Sequence, residues 1–246
     1  MSFETMMKAS LLIDSVFDVE KNIFVPGEQG SYSGISKSLL LITPNDKILV
    51  DTGFGDIPPG GKYGDLRSRV HRSDGQGLII QLADRKITPE QITTVINTHL
   101  HSAHCGNNNL FRNAKFYVAK DEFRFIDKFL DKDPNGGSYY PEMYDRVRDY
   151  VYVKGEYDLN DDIKIIPTPG HTLGHQSVVA NVNGKKLIYS GDVSPLKENL
   201  EKKIAMTGYD RAELLSSMKR LLKFKNSKWI FSHDNSQTTL RSIMRV

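Results

Sequence analysis

Apolar residues in this chain gather in short runs separated by turn chemistry, which is the pattern of β-strands. Ser10–Phe17 is one such run and Lys37–Thr43 a second. Pro44-Asn45-Asp46 supplies a turn before a third run, Lys47–Val50, so the second and third runs are expected to pair as an antiparallel hairpin. The third run ends in Asp51-Thr52-Gly53, which leaves a polar residue at a strand's mouth. Thr93–Asn97 is β-branched and Lys115–Val118 is mostly apolar, and both read as strands. Ile163–Ile166, Ser177–Ala180 and Lys186–Tyr189 follow, with Asn183-Gly184 a strong hairpin turn between the last two. Lys228–Phe231 closes the series.

Helical signals are fewer. Leu78–Arg85 and Lys120–Leu130 read as helices, the second broken by Asp133-Pro134-Asn135-Gly136-Gly137. Thr88-Pro89-Glu90-Gln91 has the cap, proline and returning glutamine of a helix start, but the strand that follows keeps it brief. Asp210 caps a last helix, with Glu213 three residues on. Leu214, Leu215, Met218, Leu221 and Leu222 of that helix fall at helical spacing and read as core. Gly53–Gly77 is rich in glycine, proline and charge, and is expected to be a long surface loop that helps shape a pocket. No composition break marks a linker, so residues 1–246 are expected to form one α/β domain with mixed sheets covered by helices.

Composition narrows the function. With 39% hydrophobic and 26% charged residues the chain is of the soluble globular class. A net charge of +3, spread along the sequence, offers no track for nucleic acid or an anionic membrane. No apolar run is long enough to span a bilayer, and Met1–Lys8 lacks the layout of a signal peptide. Cys105 is the only cysteine, which fits a reducing compartment. A cytoplasmic location is therefore expected.

The histidines carry the chemistry. His99, His101 and His104 lie within six residues directly after the Thr93–Asn97 strand. His171, Asp192 and His233 each follow one of the later strands, where loops converge. Several imidazoles with a carboxylate suit Zn, or Fe, Mn or Co in its place. The His99/His101 spacing turns two rings to one side of an extended segment, and His104 reaches a second position round a turn.

This constellation resembles the metallo-β-lactamase superfamily. His99-Leu100-His101-Ser102-Ala103-His104, then Gly170-His171, Asp192 and His233, match its order from about residue 37 to 234, as do Asp51-Thr52-Gly53 and Thr168–His175. The resemblance implies a four-layer αβ/βα sandwich, two mixed β-sheets flanked by helices. It also implies one metal on His99, His101, His171 and Asp192, and a second on His104, His233 and the same Asp192. Gly191–Leu200 and Gly208-Tyr209-Asp210, leading into Leu214–Leu221, are similar to the N-acyl-homoserine lactonase branch.

Two departures stand out. The aspartate of the family's His-x-His-x-Asp-His motif is Ala103 here, either naturally or by substitution. Loss of one anionic ligand should weaken the second metal most, so one or two ions are expected, the first held firmly. Where the lactonase branch offers a tyrosine, this chain has Pro195. Tyr209, Tyr139 and Tyr140 are the alternative phenols, and Tyr209 is the catalytic candidate beside Asp192. Asp51 by resemblance orients a ligand histidine. Cys105 and His175 are expected to pack or bond locally, and His71 to be solvated. Tyr139, Tyr140 and Tyr144 either line an acyl channel or pack.

The resemblance implies hydrolysis of a small-molecule lactone or other carboxylic ester. A metal-bound hydroxide attacks the carbonyl and Asp192 orients it. A glyoxalase II-like thioesterase and a non-catalytic metal- or ligand-binding domain are the alternatives, and a homodimer is left open.

Overall fold

The computed structural model describes residues 6–57, 64–129 and 139–244. Its strands are β1 (Lys8–Glu20), β2 (Ser31–Ile42), β3 (Lys47–Val50), β4 (Val70–His71), β5 (Thr94–Ile96), β6 (Lys115–Ala119) and β7 (Tyr150–Val153) in one sheet. Five more make a second sheet: β8 (Tyr157–Asp158), β9 (Ile163–Pro167), β10 (Gln176–Val182), β11 (Lys185–Tyr189) and β12 (Lys228–Ile230). The helices are α1 (Lys21–Phe24), α2 (Gly64–Arg69), α3 (Leu78–Asp84), α4 (Ser102–Cys105), α5 (Lys120–Phe129), α6 (Lys197–Lys202), α7 (Arg211–Leu221) and α8 (Leu240–Met244).

Both sheets are mixed. The first runs β4-β1-β2-β3-β5-β6-β7, antiparallel up to β3 and parallel from there on. The second runs β12-β11-β10-β9-β8, antiparallel except for the β11/β12 pair. The expected hairpin is present, Leu39 opposite Val50, and Asn183 and Gly184 turn β10 into β11 with positive φ at both residues.

Side-chain alternation accounts for the layers. Leu39, Leu41, Ile48 and Val50 of the first sheet meet Ile165, Val178, Leu187 and Tyr189 of the second in one buried cluster. The intervening Leu40 and Leu49 face the other way, onto Leu78 and Leu82 of α3. On the far side, Ile166, Val179 and Ile188 pack with Leu214, Met218 and Leu221 of α7. Apolar side chains on both faces explain why the strands read as unbroken runs. The result is the expected αβ/βα sandwich.

Three expectations need correction. The Gly53–Gly77 stretch is not one loop: α2 and β4 lie within it, and β4 adds to the edge of β1. Arg72 pins it inward, its guanidinium 3.0 Å from the buried Asp14 carboxylate. Leu222 follows the last turn of α7 and is 44% exposed, so it is not core. The first strand extends past Ser10–Phe17 because it pairs along its length with a β2 that begins at Ser31, in a segment too polar to signal itself. The break at 133–137 lies outside the described residues.

Close backbone contact seats the segment after β3 against α4. Gly106 N–H donates to Gly53 O at 2.6 Å, and a Cβ on Gly106 would stand 1.9 Å from Phe54 O. Gly106→Ala is therefore expected to destabilise the chain by about 3 kcal/mol, a fall in Tm of roughly 6–12 °C. Calorimetry checks this, and an unchanged Tm would show that the two segments separate freely.

Candidate metal centre

β3, β5, β9, β11 and β12 all end at the same edge of the sandwich, so the residues that follow them converge. Asp51 follows β3, His99 to His104 follow β5, His171 follows β9, Asp192 follows β11 and His233 follows β12. Gly170, with φ of 130°, lets the His171 loop lie against α7, where a Cβ would meet Leu214 N at 2.3 Å.

The donor atoms fall into two sets that share one carboxylate. His101 Nδ1 lies 3.0 Å from both His99 Nε2 and His171 Nε2. Asp192 Oδ2 faces this set, 3.4 Å from His171 Nε2 and 3.9 Å from His99 Nε2. Asp192 Oδ1 faces the other set, 3.4 Å from His104 Nε2 and 3.2 Å from His233 Nε2, which are themselves 3.2 Å apart. Nitrogen ligands at ~2.0–2.1 Å from a tetrahedral ion would stand about 3.3 Å from each other. The observed spacings bracket that value, so these residues fit a divalent metal.

Outer hydrogen bonds decide which nitrogen faces inward. Asp51 adopts a positive φ of 59°. Its Oδ1 accepts from Thr98 N, and its Oδ2 accepts from the Thr98 hydroxyl and from His104 Nδ1–H at 2.7 Å. With its proton committed to Asp51, the Thr98 hydroxyl accepts from His99 Nδ1–H at 3.1 Å. His171 Nδ1–H donates to Thr207 O and His233 Nδ1–H to Ile35 O. Four rings thus present Nε2 to the centre and His101 presents Nδ1. Imidazoles held in this way are ready-made metal ligands.

Electrostatics agree. Burial, reinforced by neighbouring histidines, holds His99 and His101 well below the usual imidazole range, and burial lowers His171 as well. These rings therefore keep their lone pairs. His104 differs: burial opposes its charge, but Asp192 and Asp51 outweigh that and raise it to about 10. Burial likewise opposes ionisation of Asp192, yet His233 and His104 hold it well below the ordinary carboxylate range.

The remaining candidates fall elsewhere. His175 is buried and its Nε2 accepts from Asp192 N–H at 2.9 Å, so it braces the Asp192 turn; burial lowers it to about 3. Cys105 is buried with its thiol on Leu100 O. His71 is exposed beside Asp18. Tyr209 is 48% exposed, its ring lies against Phe125 and its N–H donates to His171 O. Tyr139 donates to Glu122, while Tyr140 and Tyr144 are buried in the core. Pro195 serves through its carbonyl, which accepts from His233 N–H.

A cleft of about 490 Å³ opens onto both sets, lined by Ala103 and, on its apolar side, by Phe17, Phe24, Phe54 and Met206. Phe54 falls in the Gly53–Gly77 stretch expected to shape the pocket, but sequence reasoning missed Phe17, Phe24 and Met206, because an apolar residue at a strand end or in an apolar run looks like core. Of the Gly136–Pro141 segment, which the sequence also suggests as a pocket wall, residues 136–138 lie outside the described residues.

A family model described as the metallo-beta-lactamase superfamily matches residues 32–233. A probable metallo-hydrolase of Methanocaldococcus jannaschii is 35% identical over 156 residues, which are 63% of this chain and 64% of that protein. An N-acyl homoserine lactonase of Bacillus cereus is 29% identical over 195 residues, 74% of this chain and 73% of that one. Among solved structures, AidC, a dizinc quorum-quenching lactonase in complex with a product, superposes with a TM-score of 0.73 at 20% identity. That match covers 95% of this chain and 89% of the other, and it shows the fold.

The ion pairs of His104 set a pH dependence for the metal-free chain. Its folded value of about 10 exceeds an unfolded value of ~6.5. The stability it contributes is complete below the lower value and is lost as pH rises through about 10. Imidazole ¹⁵N shifts should show His104 protonated at neutral pH, and Asp51→Asn should lower its midpoint. A neutral His104 ring at pH 7 would contradict the ion pairs.

Proposed function

This chain belongs to the metallo-beta-lactamase superfamily and is a metallo-hydrolase, and on that footing we propose that it hydrolyses a lactone or other carboxylic ester with an apolar acyl part, using zinc. The observation that carries this reading is the apolar cleft opening directly onto the His/Asp sets. The Bacillus cereus relative named for lactone hydrolysis supports it.

His99, His101, His171 and Asp192 would hold the first ion, and His104, His233 and Asp192 the second. Nitrogen and carboxylate donors at this spacing suit Zn²⁺. A bound divalent ion supplies Lewis acidity, polarising a carbonyl and lowering the pKa of water towards ~7. The protein's own part is to hold, orient and desolvate. Asp192, anionic and shared, keeps both sets in register. Phe17, Phe24 and Met206 cover the acyl part and exclude water from it. Water adds to the carbonyl carbon, the ester C–O bond breaks, and the products are a carboxylate and an alcohol, joined in one molecule for a lactone. Tyr209, whose N–H donates to His171 O and whose ring lies against Phe125, is the candidate phenol beside Asp192. Among the described residues no helix is long and apolar enough to cross a membrane.

Ala103 contributes a methyl group beside His104, so the second set consists of two imidazoles and one carboxylate oxygen. Elemental analysis is expected to find one tightly held metal per chain, with a second bound weakly, and two in Ala103→Asp. The same substitution should raise kcat more than it changes KM, because it acts on the reacting centre and not on the acyl cleft. Equal kcat in both chains would sink the assignment of Ala103.

Matched panels of lactones, esters and thioesters test the substrate class. Lactone or ester turnover that chelation abolishes and Zn²⁺ restores is the expected result. Preference for thioesters would favour the glyoxalase II-like alternative. Lack of any turnover after Ala103→Asp would favour a non-catalytic binding domain.

A further inference from the structure

Glu122 lies in the first turn of α5 and belongs to neither donor set, yet it is fully buried. A carboxylate is costly to bury unless its lone pairs are filled. Here Leu100 N–H donates to Oε1 at 3.0 Å and the Tyr139 hydroxyl to the same oxygen at 2.8 Å. The Thr172 hydroxyl donates to Oε2 at 2.6 Å, and Gly174 N–H adds a further bond.

These partners share one property. Leu100 is the residue between His99 and His101, Thr172 follows His171, and the Tyr139 ring packs edge-on against His101 with centroids 4.5 Å apart. One side chain therefore bonds to the immediate neighbours of all three imidazoles of the first set, which arrive from opposite sheets. His104 and His233 take their outer bonds from Asp51 and Ile35 instead. The loop closes tightly on α5, since a Cβ on Gly174 would meet Glu122 N at 2.1 Å.

All four partners donate here, so both oxygens of Glu122 accept. Glutamine keeps a single acceptor oxygen, so a hydroxyl would have to reverse and accept from its amide nitrogen, or a backbone N–H would lose its acceptor. We infer that Glu122 is the positioning residue of the first metal set, fixing the spacing between the His99–His101 segment and the His171 loop. The inference rests on the reading that this set holds a metal.

Co²⁺ titration of the full chain tests it, because d–d absorption reports coordination geometry and a competing chelator reports affinity. Measurements are made well below the melting temperature of each variant. Glu122→Gln is expected to weaken the tight equivalent by roughly 10–100-fold, as loss of an outer partner of a ligand does, and to shift its absorption band. The same loss should persist in a His233→Ala background, where the first set alone is intact. Thr172→Val, which removes one donor and keeps the anion, should give a smaller loss in the same direction.

A Glu122→Gln chain that melts lower but binds Co²⁺ with unchanged affinity and spectrum would make Glu122 merely structural. That result overturns the inference and leaves the metal reading standing. Should that variant not fold, unchanged affinity in Thr172→Val decides the same way. A parent chain that takes up no Co²⁺ would instead overturn the metal reading, and the inference with it.

Discussion

Five imidazoles packed against a single carboxylate would scatter unless something held each ring's far side. That constraint organises this end of the molecule. Asp51 and Thr98 serve His104 and His99, Thr207 O serves His171, and Ile35 O serves His233. Ile35 belongs to β2 of the first sheet and His233 follows β12 of the second, so the docking of one sheet on the other takes part in aiming that ring. Tyr189, whose hydroxyl crosses to Lys37 O, and Gln176, which reaches Asn97 O and Tyr117 O, tie the sheets near that edge.

The division of labour between the two oxygens of Asp192 gives the site its asymmetry. One oxygen meets a set of three imidazoles, the other a set of two. With a methyl group at Ala103, the smaller set relies on the shared anion of Asp192. The high value of His104 has the same origin, since two carboxylates converge on one ring.

Much of this was legible in the chain itself, for a physical reason. Strands buried on both faces must be apolar throughout, so Thr93–Asn97, Ile163–Ile166, Lys186–Tyr189 and Lys228–Phe231 announced themselves, and polar residues directly after them marked the edge. Less legible were elements whose strand character comes from a partner. Ser31–Ser36 is polar and extended because β1 lies beside it, and Val70–His71 pairs with the edge of β1 next to the Arg72–Asp14 ion pair. Glu122 reads as an ordinary acid at a helix start. Its burial depends on a loop some fifty residues away, which no local pattern records.

The shared edge also has a consequence for how the molecule comes into being. The first sheet brings His99, His101 and His104, while the second brings His171, Asp192 and His233. A growing chain released only as far as β7 would therefore display three imidazoles without the shared Asp192 carboxylate and with neither set complete. The larger set closes once β11 has been made, and the smaller waits for β12. An ion offered during synthesis would thus find its two seats in a fixed order, the crowded one first.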